Sequence, residues 1–178
     1  MAVTSVAHGS QSATIDSEHT LDTQASAGVY VLVADLSAME APDIVVLRIK
    51  TKAVHDGSSH LAYMAVFAHA QSEPHKYSVP VPIDTEIICT LEQTDGTGAV
   101  AITAFADHGG DDTTVTSAGH NLSDGDSVTI AGTTNYNGTF TVSGVSGSTY
   151  RINKAFVAND ATGTGTKVIT FPWSLLKM

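Results

Sequence analysis

Gly96-Thr97-Gly98-Ala99-Val100-Ala101-Ile102-Thr103-Ala104-Phe105 returns, sixty-seven positions later, as Gly163-Thr164-Gly165-Thr166-Lys167-Val168-Ile169-Thr170-Phe171. The stretch between the copies differs in texture from the chain on either side. Excising residues 106–162 would join the flanks as one strand running through Lys167-Val168-Ile169-Thr170-Phe171-Pro172-Trp173. A small domain inserted into a surface turn of a larger one has this appearance, since loop tips accept insertions without losing buried backbone bonds. The expected division is therefore a host of residues 1–105 plus 163–178 and an insert of residues 106–162.

Of the 178 residues, the host keeps roughly 120, enough for one hydrophobic core, while the insert is near the lower limit for a core that stands alone. Both pieces are poor in Leu, Lys and Glu and rich in Thr, Ser, Val, Ala and Gly. Branched β-carbons suit a pleated surface, so the composition points to an all-β chain.

Strand patterns follow. Gly28-Val29-Tyr30-Val31-Leu32-Val33-Ala34-Asp35-Leu36 is β-branched and bounded by Gly28 and the turn around Ala38-Met39-Glu40-Ala41-Pro42. In residues 43–52, Leu47 and Ile49 alternate with Arg48, Lys50 and Lys52, the period of a half-buried strand. Leu61-Ala62-Tyr63-Met64-Ala65-Val66-Phe67-Ala68 contains helix formers, but its length and flanking turns favour a strand. Residues 74–82 hold three prolines and read as an extended edge or loop. Residues 86–93 and the split last strand complete the host. Residues 1–10 are expected to be a flexible arm, and 11–20 a weak first strand. About seven strands with frequent turns predict a β-sandwich. Within the insert, residues 113–116, 127–130, 138–142 and 149–152 read as four short strands of a small, nearly closed β-barrel, placed before the host's last strand. Asn137-Gly138 suits a tight turn there.

The formal net charge of −10, with eight basic residues, argues against binding a phosphate backbone. No stretch approaches the ~20 apolar residues of a bilayer span, so no membrane association is expected. The first residues show neither a basic segment nor an apolar run, so the expectation is synthesis in the cytoplasm without a signal peptide. Cys89, the one cysteine, lies in Ile87-Ile88-Cys89 and reads as a small buried hydrophobe.

No catalytic signature stands out, and the chain is read as a non-enzyme. The eight histidines (His55/His60, His69/His75 and His108/His120 among them) match no zinc spacing. Asp107, Asp111 and Asp112, or Asp124 and Asp126, offer clustered carboxylates but no complete calcium loop. No cofactor and no metal is expected. Trp173, the only tryptophan, reads first as a core anchor and otherwise as an interface anchor, with Tyr77, Pro80 and Pro82 as further interface candidates. The N-terminal arm is a second docking candidate, since an extended segment can add to a neighbour's sheet edge.

Two stretches resemble known families. The host, through Gly28 to Ala38, Leu47-Arg48-Ile49-Lys50-Thr51-Lys52, Pro80-Val81-Pro82 and Phe171-Pro172-Trp173-Ser174-Leu175-Leu176, resembles a family of small tailed-bacteriophage virion-associated proteins. The insert, through residues 115–126 and 133–140, resembles a β-barrel module of marine phage structural proteins that is similar to the FCCH domain of ubiquitin-activating enzymes. The second likeness implies a fold and no activity. Together they imply a virion structural protein, first of all a capsid decoration or cement protein. The implied partners are the major capsid protein or other virion proteins. A homo-oligomer is expected, a trimer suiting three-fold shell positions, with the insert facing outward. The alternatives are a neck or tail component and a module recognising host glycan through Tyr136, Phe140 and Tyr150.

Overall fold

The computed structural model describes residues 2–178; Met1, part of the expected arm, lies outside the described residues. Among the described residues there are sixteen strands and no helix. The chain is all-β and forms two compact units. One holds residues up to Gly96 together with Thr170–Met178, and the other holds Thr97–Ile169.

The first unit is a β-sandwich. Its strands are β1 (Thr4–Ser12), β2 (Glu18–Gln24), β3 (Gly28–Asp35), β4 (Ile44–Lys52), β5 (His60–Ala68), β6 (His75–Tyr77), β7 (Val81–Ile83), β8 (Glu86–Asp95) and the last strand, β16 (Thr170–Lys177). One sheet runs β1-β16-β3-β6, with β7 also on β3; the other runs β2-β8-β4-β5. Successive residues of a strand point to opposite faces. Tyr30, Leu32 and Ala34 of β3, with Phe171 and Leu175 of β16, are buried from the first sheet. Val45, Leu47 and Ile49 of β4, with Ile87, Cys89 and Leu91 of β8, are buried from the second. Burial, helped by the negative charge of Asp22, pushes the Cys89 thiol up to about 12, as expected of a packed and unreactive cysteine.

Three expectations need correction here. The N-terminal arm is strand β1, paired along its length with β16 from Thr4↔Lys177 to Ser12↔Thr170. Its small polar residues carry no apolar alternation, so the backbone ladder holds it rather than a hydrophobic face. Residues 11–20 are not one strand: they take in the end of β1, a break at 13–17 with Asp16 at positive φ, and the start of β2. The proline-bearing stretch contributes two short strands, β6 and β7, which with β1 raise the sandwich from about seven strands to nine.

The second unit is a curled, half-barrel sheet. It contains β9 (Val100–Ala101), β10 (Ala104–Gly109), β11 (Asp112–Thr116), β12 (Ser127–Ala131), β13 (Gly138–Ser146), β14 (Thr149–Asn153) and β15 (Thr164–Val168). Their order is β10-β11-β14-β13-β12-β15-β9. The four strands expected inside the insert are β11 to β14. The repeated segments, however, are not two halves of a host strand. They pair with each other: β9 and β15 run antiparallel with Thr164↔Ala101 and Gly165↔Val100, and Ile102 N donates to Gly163 O at 3.0 Å. The inserted unit is therefore residues 97–169 rather than 106–162, because a cut at 106 would sever β10 from the ladder it makes with β11. Residues 132–137 form a longer connection than a two-residue turn, closed by the Asn137 side chain, whose Oδ1 accepts from the Thr133 amide at 2.9 Å.

Ten buried side chains fill this unit, Phe105, Val128, Ile130, Tyr136, Val142, Tyr150 and Ile152 among them. Phe105 and Tyr136 stack with ring centroids 4.0 Å apart. The Tyr136 hydroxyl donates to Ala158 O at 2.8 Å and accepts from the Val157 and Ala158 amides, pinning the irregular stretch before β15. Tyr150 differs. Its hydroxyl is buried without a hydrogen-bond partner, burial pushes its pKa up to about 12, and Gly165 leaves it room, since a Cβ there would stand 2.9 Å from the oxygen.

Two experiments follow from these cores. Replacing residues 97–169 with a short Gly/Ser linker should leave a folded sandwich by circular dichroism and amide-proton NMR, whereas replacing 106–162 should not; equal folding of both would refute the boundary. Tyr150→Phe should be neutral or stabilising by up to about 1 kcal/mol in urea unfolding, because it removes a polar group that folding leaves unpaired. Tyr136→Phe should cost about 1–3 kcal/mol, because it strands two backbone amides.

Candidate docking surface

The sandwich bears its surface chemistry on two faces. On the outward side of the four-stranded sheet, register aligns charges across strands: β4 pairs with β8 through Val46↔Glu92, Arg48↔Thr90 and Lys52↔Glu86. Arg48 Nη1 lies 2.6 Å from Glu92 Oε2 and 3.6 Å from Glu18 Oε1. Lys50 Nζ lies 2.8 Å from Glu18 Oε1, and Lys52 Nζ 2.8 Å from Glu86 Oε1. Hydrogen bonds from Lys50 and from the Thr90 hydroxyl, aided by the Arg48 charge, hold the Glu18 carboxyl below its ordinary value. The alternation of Arg48, Lys50 and Lys52 thus builds a solvated ladder of cross-strand pairs.

At the edge of the same sheet the character changes abruptly. Strand β5 pairs with β4 on one side only, and its outer face presents Leu61, Met64 and Val66, 54%, 52% and 57% exposed. Its other face turns Tyr63, Ala65 and Phe67 towards the sandwich interior, opposite Ile49, Leu47 and Val45. Lys76 of β6 brings its ammonium 5.5 Å from the Phe67 ring centroid, so β5 and β6 flank the same side of the sandwich.

Along β6, β7 and the link 78–80 between them, Tyr77 and Val79 are 64% and 55% exposed, and Pro80 and Pro82 are exposed as well. Ser78 ties this stretch to β3, its Oγ accepting from Leu32 N at 2.9 Å. Tyr77, His75, Val33, Asp35, Pro172 and Trp173 line a shallow cleft of about 310 Å³. The Ser37 amide, with help from His75, holds the Asp35 carboxyl below its ordinary value. Of the predicted interface residues, Tyr77, Pro80 and Pro82 are therefore accessible together. Trp173 is half-buried: it pairs with Ala34 on the core-facing side, and its ring lies against Gly9, where a Cβ would come within 3.2 Å.

The glycan-contact candidates need correction. Tyr136 and Tyr150 are 0% and 1% exposed inside the second unit's core, and Phe140 packs against that core. A unit of this size uses its aromatic rings to fill its interior, so they present no stacking platform. Five of the titratable residues singled out in this unit have local partners. His120 Nδ1 accepts from Leu122 N at 3.0 Å, which makes Nε2 the donor to Ser146 O. His108 Nε2 accepts from Arg151 at 2.9 Å. Asp107 accepts from the Gly109 amide, Asp124 from the Val145 amide, and Asp126 from the Ser123 amide while pairing with Lys167. Among the described residues no group of three or more His, Cys, Asp or Glu is arranged to hold a metal ion.

The apolar strip on β5 could not be located from sequence, because Leu61 to Ala68 has the composition of a core strand. Only the sheet order shows it to be an edge.

Comparison of the chain with protein-family models, with curated proteins and with solved structures finds no match.

The ladder generates an acid response. A carboxylate whose folded pKa lies below its unfolded value contributes stability that is present above the unfolded value and lost as pH falls through the folded one. The sandwich should therefore lose melting temperature as pH drops from about 5 to about 3. Glu18→Gln should flatten that dependence while costing at most about 1 kcal/mol at neutral pH, because the pairs are solvent-screened. An unchanged pH profile in Glu18→Gln would show that Glu18 contributes nothing to it.

Proposed function

We propose that this chain is a structural protein of a tailed-phage virion, a decoration or cement protein that binds the assembled head shell through its sandwich. The observation that carries the docking part of this reading is the exposed apolar stretch of β6 and β7. There Tyr77 and Val79, 64% and 55% exposed, stand beside the exposed Pro80 and Pro82 on a chain of net charge −10. Exposed apolar surface of this kind marks a protein-binding site. The virion part is supported by the likeness of the Gly28–Ala38 and Phe171–Leu176 segments to small phage structural proteins. The partner is the major capsid protein or another shell protein. Docking is assigned to this side and not to an N-terminal arm, since residues 4–12 and 18–24 are strands of the sandwich.

The mechanism is mass action. A ligand that binds the assembled shell and not its separated subunits stabilises the shell by its binding free energy at every site. No chemical step is required, and the acidic exterior keeps the unbound protein soluble.

Quantitative mass spectrometry of purified particles against the major capsid protein tests the assignment. On the order of hundreds of copies, in a simple ratio to the capsid protein, is the expected result for symmetric shell sites. About a dozen copies would move the protein to the neck or tail, and none would overturn the virion reading. Tyr77→Lys should weaken binding to stripped shells by at least about tenfold if the β6–β7 surface is the contact.

A further inference from the structure

The sandwich has four sheet edges: β1 and the β6–β7 pair in one sheet, β2 and β5 in the other. An open edge offers unpaired N–H and C=O groups to any extended chain, and folded proteins block it with prolines, charges or bulges. Two of the four are blocked. Pro74, Pro80 and Pro82 interrupt the β6–β7 edge. β2 carries Glu18 and Asp22 and is bulged between Thr20 and Asp22. β1, bulged between Ser5 and Ala7, is free of proline and charge, but its small polar residues offer no apolar face to bury. β5 reads His-Leu-Ala-Tyr-Met-Ala-Val-Phe-Ala, without proline and without Asp, Glu, Lys or Arg, and alone joins an open edge to an exposed apolar face. Its one irregularity lies near its start, where Ile49↔Tyr63 is followed by Lys50↔Leu61 and Ala62 is left over. From Tyr63 to Ala68 it is regular.

We propose that β5 is a self-association edge, at which two copies of this chain pair β5 with β5, antiparallel, across a two-fold axis. The strand is its own complement in the register centred on Ala65. That register sets the small Ala65 against itself at the axis. It puts Tyr63 opposite Phe67 of the second copy on the core-facing side, an aromatic cross-strand pair. On the outer face it puts Met64 opposite Val66, covering the two side chains left about half-exposed in the single chain.

Charge selects the same occupant. A second copy also carries −10, so the two can meet closely only along a seam that carries no charge of its own. Arg48 and Lys50 on the neighbouring β4 are already paired with Glu92 and Glu18, and the Lys76 ammonium is held over the Phe67 ring. A basic partner would find no carboxylate on β5 to recognise. The symmetry follows from the edges. A three-fold ring needs β5 of one copy to pair with a different edge of the next, and those edges carry prolines, acids or, on β1, small polar side chains that give Met64 and Val66 no apolar cover. The contact is therefore isologous and the oligomer a dimer, in place of the trimer expected from sequence. A single strand pair buries less than the roughly 1,200 Å² of a standard stable interface, so the dimer is reversible and concentration-dependent. The inference is independent of shell binding.

Sedimentation velocity of the full chain, over about 5–500 μM, tests it. The expected result is a reversible monomer–dimer equilibrium strengthened by added salt, which screens the repulsion between copies. Val66→Lys should weaken the dimer at least about tenfold, by placing two ammonium groups in the seam. Its unchanged melting temperature would show that the fold is kept. Tyr77→Lys, on the neighbouring edge, should leave the dimer intact. Mixing Met64→Cys with Val66→Cys protein should give disulfide-linked dimers faster than either variant alone, which reports the register even if Val66→Lys folds poorly. A monomer at every concentration, a trimer mass, or a dimer indifferent to Val66→Lys with no preference in the cysteine mixture would overturn the proposal. None of these outcomes bears on the copy number in particles, so failure here and failure of the shell assignment are separable.

Discussion

The sandwich depends on where its last strand goes. β16 does not lie at an edge; it enters the sheet between β1 and β3, pairing with both, and its Phe171 and Leu175 are fully buried. Until β16 is in place, β1 has no partner and β3 lacks one side of its ladder. Yet β16 follows β8 only after the whole of Thr97–Ile169 has been traversed. A flexible connection of that length would impose a loop-closure cost that grows slowly but steadily with chain length. The second unit removes most of it by joining its own ends: β9 and β15 pair antiparallel, so the chain enters and leaves the folded unit on adjacent strands. The repeated Gly-Thr-Gly segments are the sequence trace of that closure.

The division of labour between side chains follows from strand position. In the middle of the four-stranded sheet, outward residues are long and charged, and they satisfy one another across β2, β8 and β4. Such pairs stabilise the fold little one by one, but they keep the face wet and closed to partners. At β5 the outward residues become Leu61, Met64 and Val66, and the ladder has no acid or base to continue with. An edge that keeps its donors and acceptors open while presenting an apolar face is costly to leave exposed. The proposed pairing with a second copy would give that edge its missing ladder and cover its apolar face.

Much of the architecture could be read from the chain, for identifiable reasons. β3 and β4 announce themselves by β-branched runs and by the alternation of Leu47 and Ile49 with Arg48 and Lys50, and β11 to β14 by Thr/Val segments between Gly- and Asp-rich turns. β1 could not be read, because an edge strand held by backbone bonds and small polar residues leaves no hydrophobic period. The repeat was visible but its meaning was not. Similar segments are compatible with one interrupted strand or with two strands that pair, and only the register of β9 on β15 decides between them. Of the candidate surface, Tyr77, Pro80 and Pro82 were legible because prolines mark an edge. The β5 strip was not, since sequence gives a strand's faces but not its rank in the sheet.

The aromatic residues of the second unit show the same limit from the opposite side. Tyrosines in a Thr/Ser-rich module invite a reading as ligand-stacking platforms, yet Tyr136 and Tyr150 are interior. A unit this small has few large apolar residues, and Phe105, Tyr136 and Tyr150 supply much of the volume that closes its half-barrel. Tyr136 meets the polar cost of burial by bonding the Val157–Ala158 backbone; Tyr150 does not, and stands against Gly165 with its hydroxyl unpaired. Ring volume that holds the module together cannot also be offered at its surface. On the sandwich, by contrast, Leu61, Met64, Val66 and Tyr77 are exposed in spite of being apolar and are not needed to fill a core.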